Sequence, residues 1–567
     1  MNGDIPEVRG IEVEFDKEMK TRDGVVLRAD VYRPITDAPV PAILLRTPYD
    51  KGLRAAAQPY LPPSIAARYG FGYVVQDTRG RYRSEGDWEV ISPEVEFDDG
   101  YDTVEWVASL PWCSGKVGMI GVSYDSFNQF AAAIAAPPHL AAIAPNASGY
   151  GGVGFFPVGF AVGWSALMAR DWLESRAVLT DEETERYGAV IRACMAHPAR
   201  ESYHLPLSDL PLAKIPVTGD PVGTLMRRAD EGARTGALPF ELTAVPALLT
   251  NAYYDGGAWG AIQQFRRLRD KGATEATRRE TRLMLGPWTH GILKGYLGEA
   301  NFGLLADQLS NVVVDYHLAF FARHLQGRDD APVLPVVRYF VLGANEWKDA
   351  DEWPPLGTQP TALHLHAGGG LRAERPPAGE KPDEYQYNPA DPVPALGGRQ
   401  ISMSGMPMGP IDQRRIEARP DVLVFSTPPL EDEYEIAGDV DVKLFVSTSA
   451  PDTDFFARLC DVDETGVSLN IADGIVRMKW RNDTDAALPP LSPGEVNEVD
   501  IPLGPVANRF GRGHRIRLYV SSSFFPEHDR NMNTGHPIGA DAEGPIAHQR
   551  IYHDADHPSS VTIPRSP

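Results

Sequence analysis

At 567 residues, with 43% hydrophobic and 23% charged side chains, the chain has the make-up of a soluble globular protein with room for two or three domains. A net charge of -23 argues against nucleic acid and anionic membrane surfaces as partners, because basic patches hold both. Cys113, Cys194 and Cys460 are odd in number and far apart; they offer no disulfide framework and no zinc spacing, which suits a reducing compartment. The first residues, Met-Asn-Gly-Asp-Ile-Pro-Glu, lack a basic region followed by an apolar core. No apolar run approaches the ~20 residues needed to span a bilayer. A cytoplasmic protein is expected, either monomer or homodimer.

Taken in order, residues 12–20 and 25–33 alternate as two strands about a turn at 21–24, an antiparallel edge pair. Residues 41–46, Pro-Ala-Ile-Leu-Leu-Arg, form a buried strand left by the turn Thr47-Pro-Tyr-Asp50, and 72–77 form the next. Residues 98–110 are helical, with Val104, Val107 and Ala108 on one face. The apolar run 117–121 breaks off at Val122-Ser123. A helical stretch follows from Ser126 until Pro137-Pro138 stops it, and 140–145 is again apolar. Strands alternating with helices predict a parallel sheet covered on both faces.

From 149 to 240, glycine-rich loops give way to helical segments such as 180–195, the texture of a cap inserted over the sheet. Strands at 245–250 and 282–285 resume, with a basic amphipathic helix between them, and a helix over 306–326 follows. Proline and glycine thicken from 353 to 398. Short alternating strands then appear at 440–446, 455–461, 475–480 and 514–521, the pattern of a β-sandwich of jelly-roll type. The expected fold class is α/β: a core of 1–148 and 241–350, a helical cap of 149–240, and a β-domain of 351–567.

Chemistry concentrates at Gly121-Val-Ser-Tyr-Asp125. A strand turning sharply into a helix, with serine at the corner, is the nucleophile elbow of an α/β-hydrolase, although the usual G-x-S-x-G has glycine where this chain has Asp125. The turn lifts the hydroxyl above the sheet and aims a helix N-terminus, with its free N–H groups, at developing negative charge. A serine needs a histidine to take its proton, and the histidine needs a carboxylate to orient it. Asp255 closes Leu248-Leu-Thr-Asn-Ala-Tyr-Tyr-Asp255-Gly-Gly257, and His290 closes Arg282-Leu-Met-Leu-Gly-Pro-Trp-Thr-His290. Each lies just beyond an apolar strand, in the order Ser123, Asp255, His290 that this fold requires.

Together with Arg46-Thr-Pro-Tyr-Asp-Lys51, Gln76-Asp-Thr-Arg-Gly80, Gly286-Pro-Trp-Thr-His290 and Tyr387-Asn-Pro-Ala-Asp-Pro-Val-Pro394, these segments resemble the bacterial cocaine esterase and X-prolyl dipeptidyl aminopeptidase family. The likeness covers nearly the whole chain and is closest to the cocaine esterase branch. It implies an α/β-hydrolase core, a helical cap and a C-terminal jelly roll. By position, Ser123 resembles the nucleophile, Asp255 the orienting acid and His290 the general base. The resemblance also implies an oxyanion hole made of the Tyr49 hydroxyl and the Tyr124 backbone N–H.

The expected activity is that of a serine carboxylesterase acting on a small ester, with no cofactor. A peptidase or amide acylase on the same triad is the alternative, and a non-catalytic carbohydrate-binding protein is a remoter one. Trp164 resembles a cap tryptophan lining the acyl pocket. Asp125 stands two residues from the nucleophile, a potential substrate contact or merely a helix-start acid. Gly257 stands where the esterase branch has an aromatic, so the pocket is expected to be reshaped there. The residues after the acid lack the extra carboxylates that hold an ammonium in relatives cleaving α-amino acid esters. The pairs Asp439/Asp441, Asp452/Asp454 and His364/His366 read as solvated strand faces, and no metal is expected. The segment 401–409 is expected to reach the pocket from the β-domain.

Overall fold

The apolar runs become strands of one mixed sheet in the computed structural model, which describes residues 7–149, 155–232, 238–401, 403–483 and 486–567. The chain begins β1 (Ile11–Lys20), β2 (Val26–Pro34), β3 (Val40–Thr47), α1 (Lys51–Ala56), α2 (Pro63–Arg68), β4 (Gly72–Asp77) and α3 (Pro93–Ala108). Next come β5 (Cys113–Val122), α4 (Tyr124–Ala135) and β6 (Leu140–Asn146). Four helices follow over the sheet: α5 (Val158–Ser175), α6 (Asp181–Ala196), α7 (Pro198–Glu201) and α8 (Pro221–Asp230). The chain returns as β7 (Leu248–Tyr254), α9 (Ala258–Lys271), α10 (Glu275–Glu280) and β8 (Arg282–Thr289). A small hairpin, β9 (Tyr296–Leu297) and β10 (Ala300–Asn301), precedes α11 (Val312–His324), β11 (Val337–Val341) and β12 (Glu346–Ala350).

The sheet has ten strands in the order β1-β2-β4-β3-β5-β6-β7-β8-β11-β12. Its centre is parallel, while β1 and β2 lie antiparallel at one edge and β12 at the other. Alternation along β3 explains why both faces are covered. Ala42 and Leu44 pack with Val104 and Val107 of α3 and Phe127 of α4, whereas Ile43 and Leu45 pack with Ala66 of α2 and Phe321 of α11. The glycine-rich start of the expected cap, residues 150–154, lies outside the described residues. Among the described residues, no helix is long and apolar enough to cross a membrane.

Several boundaries differ from the sequence expectation for local reasons. The helix expected from 98 starts at Pro93, where proline at the first helical position loses no hydrogen bond. The helix expected over 306–326 is shorter: Leu304–Ala306 and Gln308–Ser310 are separate 3-10 turns. Asn311, at φ 60°, breaks the path between them and α11. The apolar strand at 282 continues through Gly286 to Thr289. In the β-domain the strand is Ser468–Arg477 and Met478–Asp483 is a 3-10 turn, so the stretch 475–480 straddles both.

The β-domain is an eleven-stranded sheet between Gln359 and Arg565, antiparallel except for one parallel pairing. It is joined to the core by a buried arginine. The Arg399 guanidinium donates to the carbonyls of Tyr253 in the core (2.8 Å) and of Asp473 (3.1 Å) and Pro505 (2.6 Å) in the β-domain. Next to it, Gln400 bridges Asp255 in strand fashion.

Two substitutions test this construction. Arg399→Met strands three carbonyls, and should cost about 3 kcal/mol or more, read as a lowered melting temperature and faster proteolytic separation of the two parts. Gly121→Ala would set a Cβ 2.3 Å from the Asp125 Cβ. It should lower both melting temperature and activity, because β5 and α4 cannot move apart without shifting Ser123.

Candidate active site

Parallel pairing sets the site's frame. Tyr254 and Thr289 are register partners at the ends of β7 and β8, so the next residues, Asp255 and His290, leave the sheet side by side. The His290 Nδ1 lies 3.0 Å from both Asp255 oxygens. A carboxylate only accepts, so Nδ1 carries the proton and Nε2 is left as the free base. Asp255 is fully buried and also accepts the Gly257 N–H at 2.8 Å. That second bond holds the carboxylate plane toward the ring.

Ser123 stands at the end of β5, two strands from β7, with φ 64° and ψ -117°. A side-chain residue held in this sparsely populated region marks the strained corner of an elbow. Its N–H donates to Asn146 at 3.0 Å, and its carbonyl accepts from Ser126 at 2.8 Å, which locks the corner between β6 and the first turn of α4. The loop of His290 lies against the same corner: a Cβ on Gly291 would be 3.2 Å from Val122 Cγ1. The loops beyond β5, β7 and β8 thus bring the expected nucleophile, acid and base to one end of the sheet.

Tyr49 follows β3 and reaches this end. The Trp164 indole of α5 donates to its hydroxyl at 3.1 Å. The indole occupies the oxygen as acceptor and leaves the phenol proton free to donate elsewhere. Burial raises the Tyr49 phenol above its usual range, while the Arg54 charge and the Trp164 and Ser123 side chains pull the other way. Ser123 therefore faces this hydroxyl. The Tyr124 side chain points elsewhere: its hydroxyl accepts from Ile91 N at 2.8 Å and donates to the Glu89 carbonyl at 3.3 Å. Its backbone N–H is the first of α4 and has no acceptor among the described residues. A phenol and an amide are the two donors available beside Ser123.

The remaining expected contacts are distributed differently. Asp125 is 1% exposed, and its carboxylate lies 3.4 Å from Arg54 Nε and 3.4 Å from the Val122 N–H. Burial raises this acid and Arg54 opposes the rise, so its charge is directed into the elbow rather than into open space. Arg54 also stacks over the Tyr49 ring at 4.5 Å and so ties the two loops together. Gly257 is closed off: a Cβ there would be 2.2 Å from the Gly149 carbonyl oxygen, which is why no aromatic stands at this position. Trp164, 2% exposed, stacks on Phe160 and tilts against Trp88. A small pocket beside Ser123 is lined by Phe127, Phe130, Leu238 and Phe240, with Ser126, Ser148 and Gln264 among its polar members.

The β-domain approaches the Asp255 loop and α5. The Ile401 side chain lies against Gly256, and the Met403 backbone packs against Gly163 of α5; neither lines the small pocket beside Ser123, and residue 402 lies outside the described residues. Of the strand pairs read as solvated faces, Asp441 is exposed as expected and Asp439 is half-buried on Arg266, but Asp452 and Asp454 are buried with Asn531 and Arg477, and His366 is buried on the Glu374 carbonyl. Asn531 lies far from Asp452 and Asp454 in sequence, which local alternation cannot show. Among the described residues, no group of three or more His, Cys, Asp or Glu could hold a metal. Arg54, half-buried, and Glu527, buried, are ionisable groups beside the site that have no local sequence signal and whose significance depends on tertiary neighbours.

Comparison with known proteins shows the family. Residues 23–292 match the X-Pro dipeptidyl-peptidase (S15 family) pattern, and residues 332–562 match the X-Pro dipeptidyl-peptidase C-terminal non-catalytic domain. The chain is 38% identical to the cocaine esterase of Rhodococcus sp. (strain MB1 Bresler) over 568 residues, covering 96% of each. Among solved structures, an aminopeptidase from a marine sediment Thaumarchaeota archaeon aligns with TM-score 0.77 and 26% identity, covering 100% of this chain and 98% of that one. An alpha-amino acid ester hydrolase aligns with TM-score 0.75 and 25% identity, covering 100% of both. With an α/β-hydrolase core, a β-rich C-terminal domain and this likeness along both, the chain belongs to the X-Pro dipeptidyl-peptidase (S15) family of serine hydrolases.

Proposed function

We propose that the chain is a carboxylesterase that cleaves a small ester through an acyl-enzyme on Ser123. The observation that supports this most is the Asp255–His290 pair, its Nε2 left free, at the sheet end where Ser123 faces the Tyr49 hydroxyl. In the reading, His290 takes the Ser123 proton as Oγ bonds to the ester carbonyl carbon. Tyr49 and the Tyr124 N–H receive the oxyanion. Collapse breaks the carbonyl–alkoxide bond, and the imidazolium returns the proton to the departing alcohol. Water, deprotonated by the same imidazole, then releases the acid. The 38% identity to a cocaine esterase favours an ester over an amide. No step calls for a cofactor.

The chain divides, on this proposal, into a catalytic core of 1–148 and 241–350, a cap of 149–240 that presents Trp164, and a β-domain of 351–567 that approaches the Asp255 loop. Asp125 acts as an internal brace of the elbow and Gly257 as a close-packing position, so substrate selection falls to Trp164 and the pocket.

Ser123→Ala and His290→Ala should each lower turnover of a p-nitrophenyl acyl ester at least ~10³-fold, because the members of such a unit fail together. Fluorophosphonate should label the native protein and not Ser123→Ala. Release of p-nitroaniline from Gly-Pro-p-nitroanilide faster than p-nitrophenol from the ester would transfer the protein to the peptidases. Tyr49→Phe should lower kcat about 100-fold, the usual effect of losing one oxyanion donor, and lower the melting temperature modestly, because the buried Trp164 N–H loses its acceptor. Unaltered kinetics in that variant would remove Tyr49 from the site.

A further inference from the structure

Behind the acid of the proposed triad lies a second carboxyl group that the mechanism does not use. Glu527 belongs to the β-domain and is 2% exposed. Its Oε1 accepts the Ile401 N–H at 3.0 Å, while Oε2 is enclosed with no hydrogen-bond partner among the described residues. Ile401 directly follows Gln400, which bridges Asp255 and whose N–H reaches the Tyr254 carbonyl at 3.4 Å. One hydrogen bond therefore separates Glu527 from the strand-like contact that backs the Asp255 loop.

The charged groups facing Glu527 are Asp255, from the core loop, and Asp473, from the strand Ser468–Arg477; both are negative. The nearby Arg399 guanidinium is committed to the Tyr253, Asp473 and Pro505 carbonyls. The adjoining His528 ring is buried and pushed down to about 3, so it is neutral and offers no counter-charge. An ionised carboxylate with one bare oxygen, enclosed beside two other carboxylates, is costly and must admit water or turn away.

We propose that Glu527 is a positioning residue whose neutral acid form holds the Gln400–Ile401 segment against the Asp255 loop, and whose ionisation loosens that contact and lowers activity. The proposal rests on the reading of Asp255 as the acid that orients His290. Enclosure first, and then the two facing carboxylates, push Glu527 up to about 8, with the Ile401 N–H opposing. An unfolded glutamate ionises near its ordinary value, so between that value and about 8 the folded chain holds the extra proton. Folding stability consequently falls with rising pH across this window and levels off above it. Asp77, raised by burial to about 7, titrates in the same range, so only a variant of Glu527 isolates its share.

The test compares the full-length protein with Glu527→Gln, whose amide keeps the acceptor for Ile401 but cannot ionise. Both are assayed for kcat/KM on p-nitrophenyl acetate and for melting temperature from about pH 7 to about pH 9.5. Native protein should lose activity several-fold on the alkaline side, and its melting temperature should fall up to about pH 8 and level off beyond it. Glu527→Gln should match it within about threefold near pH 7 and keep a flatter profile of both quantities above that. Superimposable profiles would overturn the proposal, as would a folded Glu527→Gln that is inactive at every pH. Should the variant not fold, native protein that keeps constant activity and melting temperature through this range would overturn it unaided. Activity surviving in Ser123→Ala would instead sink the underlying site reading, so the two failures are distinguishable.

Discussion

The register of two parallel strands is the constraint on which the site depends. Backbone hydrogen bonds pair Leu248–Tyr254 with Arg282–Thr289, and their last register partners stand immediately before Asp255 and His290. No side-chain preference is needed to bring the two groups together; the ladder does so. The strand Leu140–Asn146 occupies the gap between this pair and the strand of Ser123, so the corner serine arrives from the other side at the same end of the sheet. Both strands are buried on both faces, so it is the backbone ladder rather than an apolar–polar alternation that fixes this register.

Charge is managed around this frame by local compensation. Asp125 at the start of the elbow helix has Arg54, Arg46 has Glu96 at 2.6 Å, and Arg477 has Asp454 at 2.9 Å. Each pair places an otherwise costly charge in a buried position by giving it an opposite charge, with hydrogen bonds as well in the Arg46–Glu96 and Arg477–Asp454 pairs. Arg54 has a further effect, since its guanidinium lies over the Tyr49 ring while its edge meets Asp125. The loop bearing the phenol and the helix bearing the free amide are thereby held by one cation. Glu527 departs from this pattern, which is what draws attention to it.

The β-domain is a structural part of the site rather than an appendage. Through Arg399, Gln400 and Ile401 it contacts the very residues that precede and follow Asp255, and its Met403 backbone packs against Gly163, next to Trp164. Segments more than a hundred residues apart thus meet around the Asp255 loop and α5. This arrangement lets substrate selection vary in the cap and β-domain while the strand ends keep the same geometry.

Local chemistry in the sequence was enough to show the alternation of strands and helices, the elbow at Ser123, and the loop positions of Asp255 and His290, because each of those signals lies within about a dozen neighbouring residues. It was not enough for the solvated-face reading of Asp452, Asp454 and His366, nor for the helix expected over 306–326, where Asn311 interrupts the path. Only the tertiary structure decided that Asp125 answers to Arg54, that Gly257 must be small because the Gly149 carbonyl presses on it, and that Glu527 lies behind the acid. The physical reason is the same in each case. Periodicity and turn residues report what a segment does alone, whereas burial and the sign of a neighbouring charge depend on chain brought in from elsewhere by the fold.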